Sequence, residues 1–540
     1  MRRTGWKAEM RLARPGGLKR LGRVGFGLSA GLGMIVAAAP APAKWLRATS
    51  DHFVIYADQS PADLEKMATR LERFDGAIRY LHRTPEGTGA KGTNRVTVYV
   101  ASDVAAIRKL SGDKNIAGFY IPRASGSVAF TPRTGDTGGM PQIVLFHEYA
   151  HHFLLGNYAA AYPGWFSEGY AEFVSTAAFE KTYVQVGVAA QHRAYSLLEA
   201  KPLPAATLFA TGQRMTNDQR ASMYARGWLL THYIMFDAAR GKQLGSYLNA
   251  LNSGTPSIAA ATAAFGDLRA LDKALNAYLH QSRIPGLRIP YDKLPAVTVG
   301  VTPLSPGAAA LVELRMQSER GVNRTTAQPI FARAAKIGAA YPGDAVAQGW
   351  LAEMAYDTGA DSEAEAAADR ALAADSTSAQ AMLYKARVLV RRAAMAKSSD
   401  PAVWKEARRW IVKANRQSPD DADALQVYYD SFRAEGAKPP AAAIAGINRA
   451  LELVPQDPSL RFEVAAQAIL DGDNAAAKTA LQPLAFDPHR PADNPAARLI
   501  AILDSGATGP AAMRALTQAK SETGGEAAAG GGAAPPAAAP

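Results

Sequence analysis

The period of the hydrophobic positions changes along the chain, and that change divides it in two. In the first half, short β-branched runs come early. Phe53-Val54-Ile55-Tyr56 and Val96-Thr97-Val98-Tyr99-Val100 have the alternation and residue types of strands. Between them Ser60-Pro61 supplies an N-cap and a first-turn proline. Leu64, Met67, Leu71, Phe74, Ile78 and Leu81 then recur at helical spacing, which predicts a helix to about His82. Gly118–Ile121 and Ser127–Phe130, split by Pro122-Arg123-Ala124-Ser125-Gly126, predict a hairpin. After the flexible loop Gly135-Asp136-Thr137-Gly138-Gly139 the pattern is mainly helical to about Leu279. Strands followed by helices predict an α+β domain with a small sheet over residues 44–290.

Over residues 304–503 the chain turns alanine-rich, with helical periodicity and no strand signals. Turn-like segments recur at Ala374-Asp375, Ser418-Pro419-Asp420, Val454-Pro455-Gln456-Asp457 and Phe486-Asp487-Pro488, at intervals near the 34-residue period of tetratricopeptide repeats. Gly359 and Gly472 sit where the turn within a helix pair would fall. An all-α array of three to four such repeats is expected, with a helical bundle as the alternative. Residues 504–540 are mostly Gly, Ala and Pro and are expected to be disordered.

Composition narrows the chemistry. The 540 residues are 48% hydrophobic and 20% charged, with no cysteine, so any metal must be held by nitrogen and oxygen. The formal charge is +12, but residues 1–43 alone carry eight basic side chains and one acid, a net +7. What remains is an ordinary mixed surface, which argues against nucleic acid as a partner. The same leader holds the uncharged run Val24–Ala39 and ends in Ala41-Pro42-Ala43, the small-x-small pattern of a cleavage site. The run is shorter than the roughly 20 residues a spanning helix needs. A signal peptide over residues 1–43 is expected, with a retained anchor as the alternative. No later segment is apolar enough to span a membrane, so the mature protein is expected to be periplasmic or secreted.

The candidate chemistry lies in His147-Glu148-Tyr149-Ala150-His151. Two histidines four residues apart stand one turn apart on a helix, so both imidazoles can reach one ion. Glu148 is displaced around the helix from them, where a general base acting on water belongs. His152 falls on another face, as a core or supporting histidine. Catalytic zinc wants a third protein ligand. A second helix, Trp165-Phe166-Ser167-Glu168-Gly169-Tyr170-Ala171-Glu172, offers Glu168 as that ligand, and Glu172, one turn on, to accept the free N–H of a ligating histidine.

His-Glu-x-x-His followed by Trp-Phe-x-Glu-Gly-x-Ala-Glu resembles the gluzincin branch of zinc peptidases. The chain is most similar there to the peptidase MA-like, DUF1570-type bacterial envelope proteins, often fused to tetratricopeptide repeats. Trp45, His52-Phe53-Val54-Ile55-Tyr56 and Gly118-Phe119-Tyr120 add to the likeness, which covers about residues 45–290. It implies His147, His151 and Glu168 as zinc ligands, Glu148 as general base and Glu172 at the family's supporting position. Tyr224-Ala225-Arg226-Gly227 resembles the Tyr-x-x-Gly segment of gluzincin aminopeptidases, which implies Tyr224 as oxyanion donor; a core tyrosine is the alternative, and His232 reads as core. No Gly-x-Met-Glu-Asn signature is present, which favours an endopeptidase. The expected function is zinc-dependent hydrolysis of peptide bonds in exported or envelope proteins. The repeats would dock the polypeptide substrate or a protein partner. The alternative is a repeat-based scaffold with a vestigial or structural zinc site.

Overall fold

The computed structural model describes residues 45–84, 95–114, 116–133, 139–158, 160, 162–210, 215–486 and 493–529. The expected signal peptide and most of the glycine-rich loop at 135–139 lie outside them. Strands β1 (Leu46–Thr49) and β2 (Phe53–Ala57) pair antiparallel. Helix α1 (Pro61–His82) starts as its sequence predicts: the Ser60 side chain accepts from the Asp63 N–H. It buries Leu64, Leu71, Phe74 and Ile78. Strand β3 (Val96–Ala101) runs parallel to β2, and α2 (Val104–Ser111) follows. The predicted hairpin forms as β4 (Phe119–Ile121) and β5 (Val128–Pro132), with Phe119 opposite Phe130, and β5 lies parallel to β3.

The long helix α3 (Gly139–Asn157) and then α4 (Gly164–Ser175) carry the candidate metal motifs. Strands β6 (Ala178–Phe179) and β7 (Tyr183–Val186) come next. They are followed by the short helices α5 (Ala194–Leu198) and α6 (Ala205–Leu208), then α7 (Asn217–Met235), α8 (Ala238–Asn252), α9 (Ser257–Phe265) and α10 (Leu268–Leu279). Two further strands, β8 (Leu287–Pro290) and β9 (Gly300–Pro303), complete two sheets, ordered β4-β5-β3-β2-β1-β9 and β6-β7-β8. The α+β expectation holds in its coarse form, but the sheet is larger than the sequence indicated. It does not stop at residue 290: β9 hydrogen-bonds to β1, with Leu46 opposite Pro303.

Beyond β9 the chain is an array of antiparallel helix pairs: α11 (Pro306–Glu319) with α12 (Arg324–Gly338), α13 (Ala345–Thr358) with α14 (Asp361–Ala374), and α15 (Ala379–Met395) with α16 (Pro401–Gln417). The series continues with α17 (Ala422–Glu435) and α18 (Ala441–Leu453), α19 (Pro458–Leu470) and α20 (Asn474–Ala485), and α21 (Pro495–Asp504) and α22 (Gly509–Ala529). Among the described residues, six pairs stand where the sequence marked three to four. Gly359 closes α13 in the left-handed region and Gly472 makes the α19–α20 turn there, each at the within-pair position expected. Of residues 504–540, expected to be disordered, 530–540 lie outside the described residues, while Gly509–Ala529 form α22. Its Ala512, Leu516 and Ala519 recur at helical spacing and cap the array against Ala465, Ile469 and Leu499. Alanine is the best helix former, so a segment poor in bulky side chains still folds once a neighbour covers its narrow stripe.

The sheet and the array share a core. Tyr99, Phe119, Val128 and Phe130 form one buried cluster with Leu311, Val312, Trp350 and Leu351. The opposite face of the sheet packs on α1 and α3 through Ile55, Val98, Phe74 and Phe146, whose ring lies stacked 4.0 Å from that of Phe74. The metal-motif helix is thus held between a sheet and a second layer of helices. Among the described residues, no helix is long and apolar enough to cross a membrane.

Candidate metal centre

Helix α3 is apolar over most of its surface, which buries it. His147 and His151 sit one turn apart, with their Nε2 atoms 3.2 Å from each other. Glu168 on α4 comes in beside them, its Oε2 3.2 Å from His147 Nε2 and its Oε1 3.6 Å from His151 Nε2. A tetrahedral zinc binds imidazole nitrogen at about 2.0–2.1 Å and carboxylate oxygen at about 2.0–2.2 Å, so its ligand atoms lie about 3.3 Å apart. The observed separations fit that geometry. The three groups supply only nitrogen and oxygen donors, as a cysteine-free chain requires.

Electrostatics point the same way. Burial disfavours charge on His147, but the hydrogen bond to Glu168 and the charges of Glu168, Glu172 and Glu148 outweigh it and raise the imidazole pKa. The pocket is one that holds positive charge. Glu148 is buried on the same helix and lines, with His147, a cavity of ≈ 30 Å³. Ile116, Gly118, Met140, Val144, His192, Arg193 and Tyr224 also line this cavity.

Glu172 does more than the sequence assigned to it. Its Oε1 lies 3.5 Å from His147 Nδ1, long for a hydrogen bond, while its other contacts are closer. His192 Nε2 sits 2.7 Å from Oε2, and Arg193 donates from Nη2 at 2.6 Å and from Nε at 3.1 Å. Burial would raise the Glu172 pKa, but His192 and Arg193 bring it down to about 2. Neither partner was legible in the sequence: both come from a single 3₁₀ turn, Gln191–Arg193, that has no period to read. Ser167 is the other unforeseen contact, its Oγ 3.2 Å from His151 Nδ1.

Tyr224 arrives on α7 through a close helix crossing. A Cβ added to Gly169 of α4 would lie 2.4 Å from the Gly227 carbonyl carbon, and one added to Gly227 would lie 2.6 Å from the Trp165 carbonyl oxygen. Only glycine at both positions lets the two backbones approach so far. The Tyr224 ring centroid then lies 6.1 Å from that of His147, with the Arg193 guanidinium 4.9 Å from the phenol ring. Burial first, and then the charges of Glu168 and Glu172, raise its pKa well above the usual phenol range, so the hydroxyl keeps its proton. That hydroxyl is buried and faces Glu168, whose hydrogen bond with it adds to the upward shift.

His152 and His232 lie outside this constellation. The Nδ1 of His152 is 2.6 Å from the Tyr120 hydroxyl; burial lowers its pKa to about 4, so it accepts from that phenol. His232 is buried, its Nδ1 2.8 Å from the Tyr278 hydroxyl and its Nε2 3.1 Å from the Gly187 carbonyl. A second acidic group, His52, Glu72 and Asp75, also clusters within 4.8 Å. There Asp75 accepts from Arg79 Nε at 2.6 Å and from the Tyr149 hydroxyl at 2.7 Å, and Glu72 accepts from the His52 N–H at 2.8 Å. These partners make it an internal ion-pair network rather than a ligand set.

No family model matches the chain, and no curated protein matches it. Among solved structures, a thermophilic TPR protein of Thermus thermophilus is similar at 16% identity and a TM-score of 0.30, over 35% of this chain and 95% of that one. The MamA RS-1 ArsTM double mutant is similar at 14% identity and a TM-score of 0.27, over 35% of this chain and 99% of that one.

Proposed function

We propose that the chain is a zinc-dependent hydrolase of peptide bonds, acting on polypeptides outside the cytoplasm. The observation that carries this reading is the convergence of His147, His151 and Glu168 at tetrahedral spacing, with Glu148 lining a cavity beside His147. His147, His151 and Glu168 would hold zinc, which would supply Lewis-acid chemistry toward a carbonyl and a water. Glu148 takes a proton from the attacking water and returns it to the leaving amine. Tyr224, held protonated, donates to the oxygen on which charge develops. Arg193 and His192 fix Glu172, which keeps a negative charge behind His147. The gluzincin resemblance stated from the motifs belongs to the same reading.

The test is metal content and hydrolysis of an unfolded polypeptide by the protein, with and without chelator. One zinc per chain and activity abolished in Glu148→Gln are expected; undiminished activity in that variant would sink the mechanism. One observation favours a second reading, a binding protein built on the helix pairs. The cavity over His147 is narrow, at ≈ 30 Å³. Zinc bound without turnover on any polypeptide would favour that reading.

A further inference from the structure

The turn between α18 and α19, Val454-Pro455-Gln456-Asp457, belongs to the repeat array but does not end there. Gln456 and Asp457 are both buried, at 7% and 5% exposure. The Gln456 side chain donates from Nε2 to the His152 carbonyl at 2.9 Å, on the residue directly after the ligand His151. Gly156, one turn further along α3, leaves the room: a Cβ there would lie 2.5 Å from that nitrogen. Asp457 uses its two oxygens on two different elements. Its Oδ1 caps α19, accepting from the Ser459 N–H at 2.6 Å, while its Oδ2 accepts from the Ala124 N–H at 2.6 Å, in the β4–β5 turn. Ala124 itself packs in one cluster with Val454, Tyr429 and Leu460 of the array.

The same β4–β5 turn is gripped a second time, from the other end of the array. Arg123 donates from Nη2 to the Glu319 carboxylate at 2.6 Å and to the Glu319 carbonyl at 2.7 Å, on α11. Glu319 is in turn ion-paired with Arg315, which pairs with Glu353 at 2.6 Å. Strand β4 is the edge strand of its sheet, and Ile116 and Gly118 just before it wall the cavity over His147 and Glu148. Tyr120 on β4 reaches back to His152 on α3. One turn of the array therefore contacts both elements that flank the cavity, helix α3 and the β4–β5 hairpin.

We propose that Gln456 and Asp457 are positioning residues of the metal centre, so that the repeat array sets the width of the cleft between β4 and α3. They touch neither metal nor substrate; they act through the His152 carbonyl and the Ala124 N–H. The catalytic consequence rests on the hydrolytic reading above, whereas the mechanical coupling does not. The experiment is hydrogen–deuterium exchange of the full chain in Gln456→Ala and Asp457→Ala. Asp473→Ala serves as control, since Asp473 caps α20 by accepting from the Ala476 N–H at 2.9 Å. Loss of one ordinary hydrogen bond should speed exchange about fivefold in Ile143–Asn157 and Gly118–Pro132 for the first two variants. Zinc affinity, read by competition with a chelating dye, should fall about tenfold in the same variants. The control should leave both readouts unchanged. If Gln456→Ala matches Asp473→Ala in exchange of both segments, the proposal is overturned. The exchange readout needs neither zinc nor turnover, so an inert protein would remove the hydrolytic reading and leave the coupling to stand or fall alone.

Discussion

Gly169 and Gly227 carry as much of the candidate site as His147, His151 and Glu168 do, because the α4–α7 crossing is what sets Tyr224 against Glu168. Gly227→Ala puts a methyl group 2.6 Å from the Trp165 carbonyl oxygen, where backbone has to move. The expected cost is about 1–3 kcal/mol in thermal or denaturant unfolding. Peptide hydrolysis should fall further than that stability loss explains, since Tyr224 is displaced. Tyr224→Phe isolates the hydroxyl: kcat should drop by about 10²-fold with zinc content intact, as for loss of one oxyanion donor. An unchanged kcat would return Tyr224 to the role of a core tyrosine. The ligand candidates and Glu148 could be read from the chain because they sit at fixed helical spacing within two short stretches. His192 and Arg193 could not, since their role exists only once a 3₁₀ turn is folded over Glu172.

Elements were legible in proportion to how local their pairing is. Helix α1 announces itself by its cap and stripe, and the β4–β5 hairpin by its turn. Strand β1 is only Leu46-Arg47-Ala48-Thr49, and its partner β9 lies more than two hundred residues away, so no local pattern marks either. The β1–β2 corner is fastened to α1 by His52 and Glu72, whose side chains meet at 2.7 Å. Burial lowers the His52 pKa, but the hydrogen bond to Glu72 and the nearby acids outweigh it, and the net shift is upward from 6.5. Burial likewise raises the Glu72 pKa before His52 brings it below 4.5. The raised imidazole stabilises the fold below its unfolded pKa and loses that effect as pH rises through its folded value. The lowered carboxylate stabilises above its unfolded pKa and loses the effect as pH falls through its folded value. The pair therefore contributes most between the two. His52 is partly exposed, so solvent screens the gain. His52→Gln should lower the melting temperature more at about pH 5.5 than at about pH 9, and an equal loss at both would refute the pairing as its cause.

At the scale of the whole molecule, the two regions that the sequence separates by composition are joined by a shared core cluster. Tyr99, Phe119, Val128 and Phe130 of the sheet are covered by Leu311, Val312, Trp350 and Leu351 of the first helix pairs. Periodicity shows that a strand has two apolar faces but not what covers the second one. This is why the boundary looked clean in the chain and is buried in the fold. A fragment of residues 45–303 would keep β9 and the whole metal constellation yet expose that apolar face, together with the Arg123 guanidinium that pairs with Glu319. Exposed apolar surface of this extent drives association. The fragment should therefore aggregate or melt well below the intact protein, and its zinc affinity should drop with it. The intact chain should lose sheet and array in one cooperative transition by circular dichroism and calorimetry. Two separate transitions, with the fragment as stable alone as within the chain, would show that the shared cluster contributes little. In that case the repeats would be a passenger on an independent hydrolase domain, and the coupling through Gln456 would have to be carried by its hydrogen bond alone.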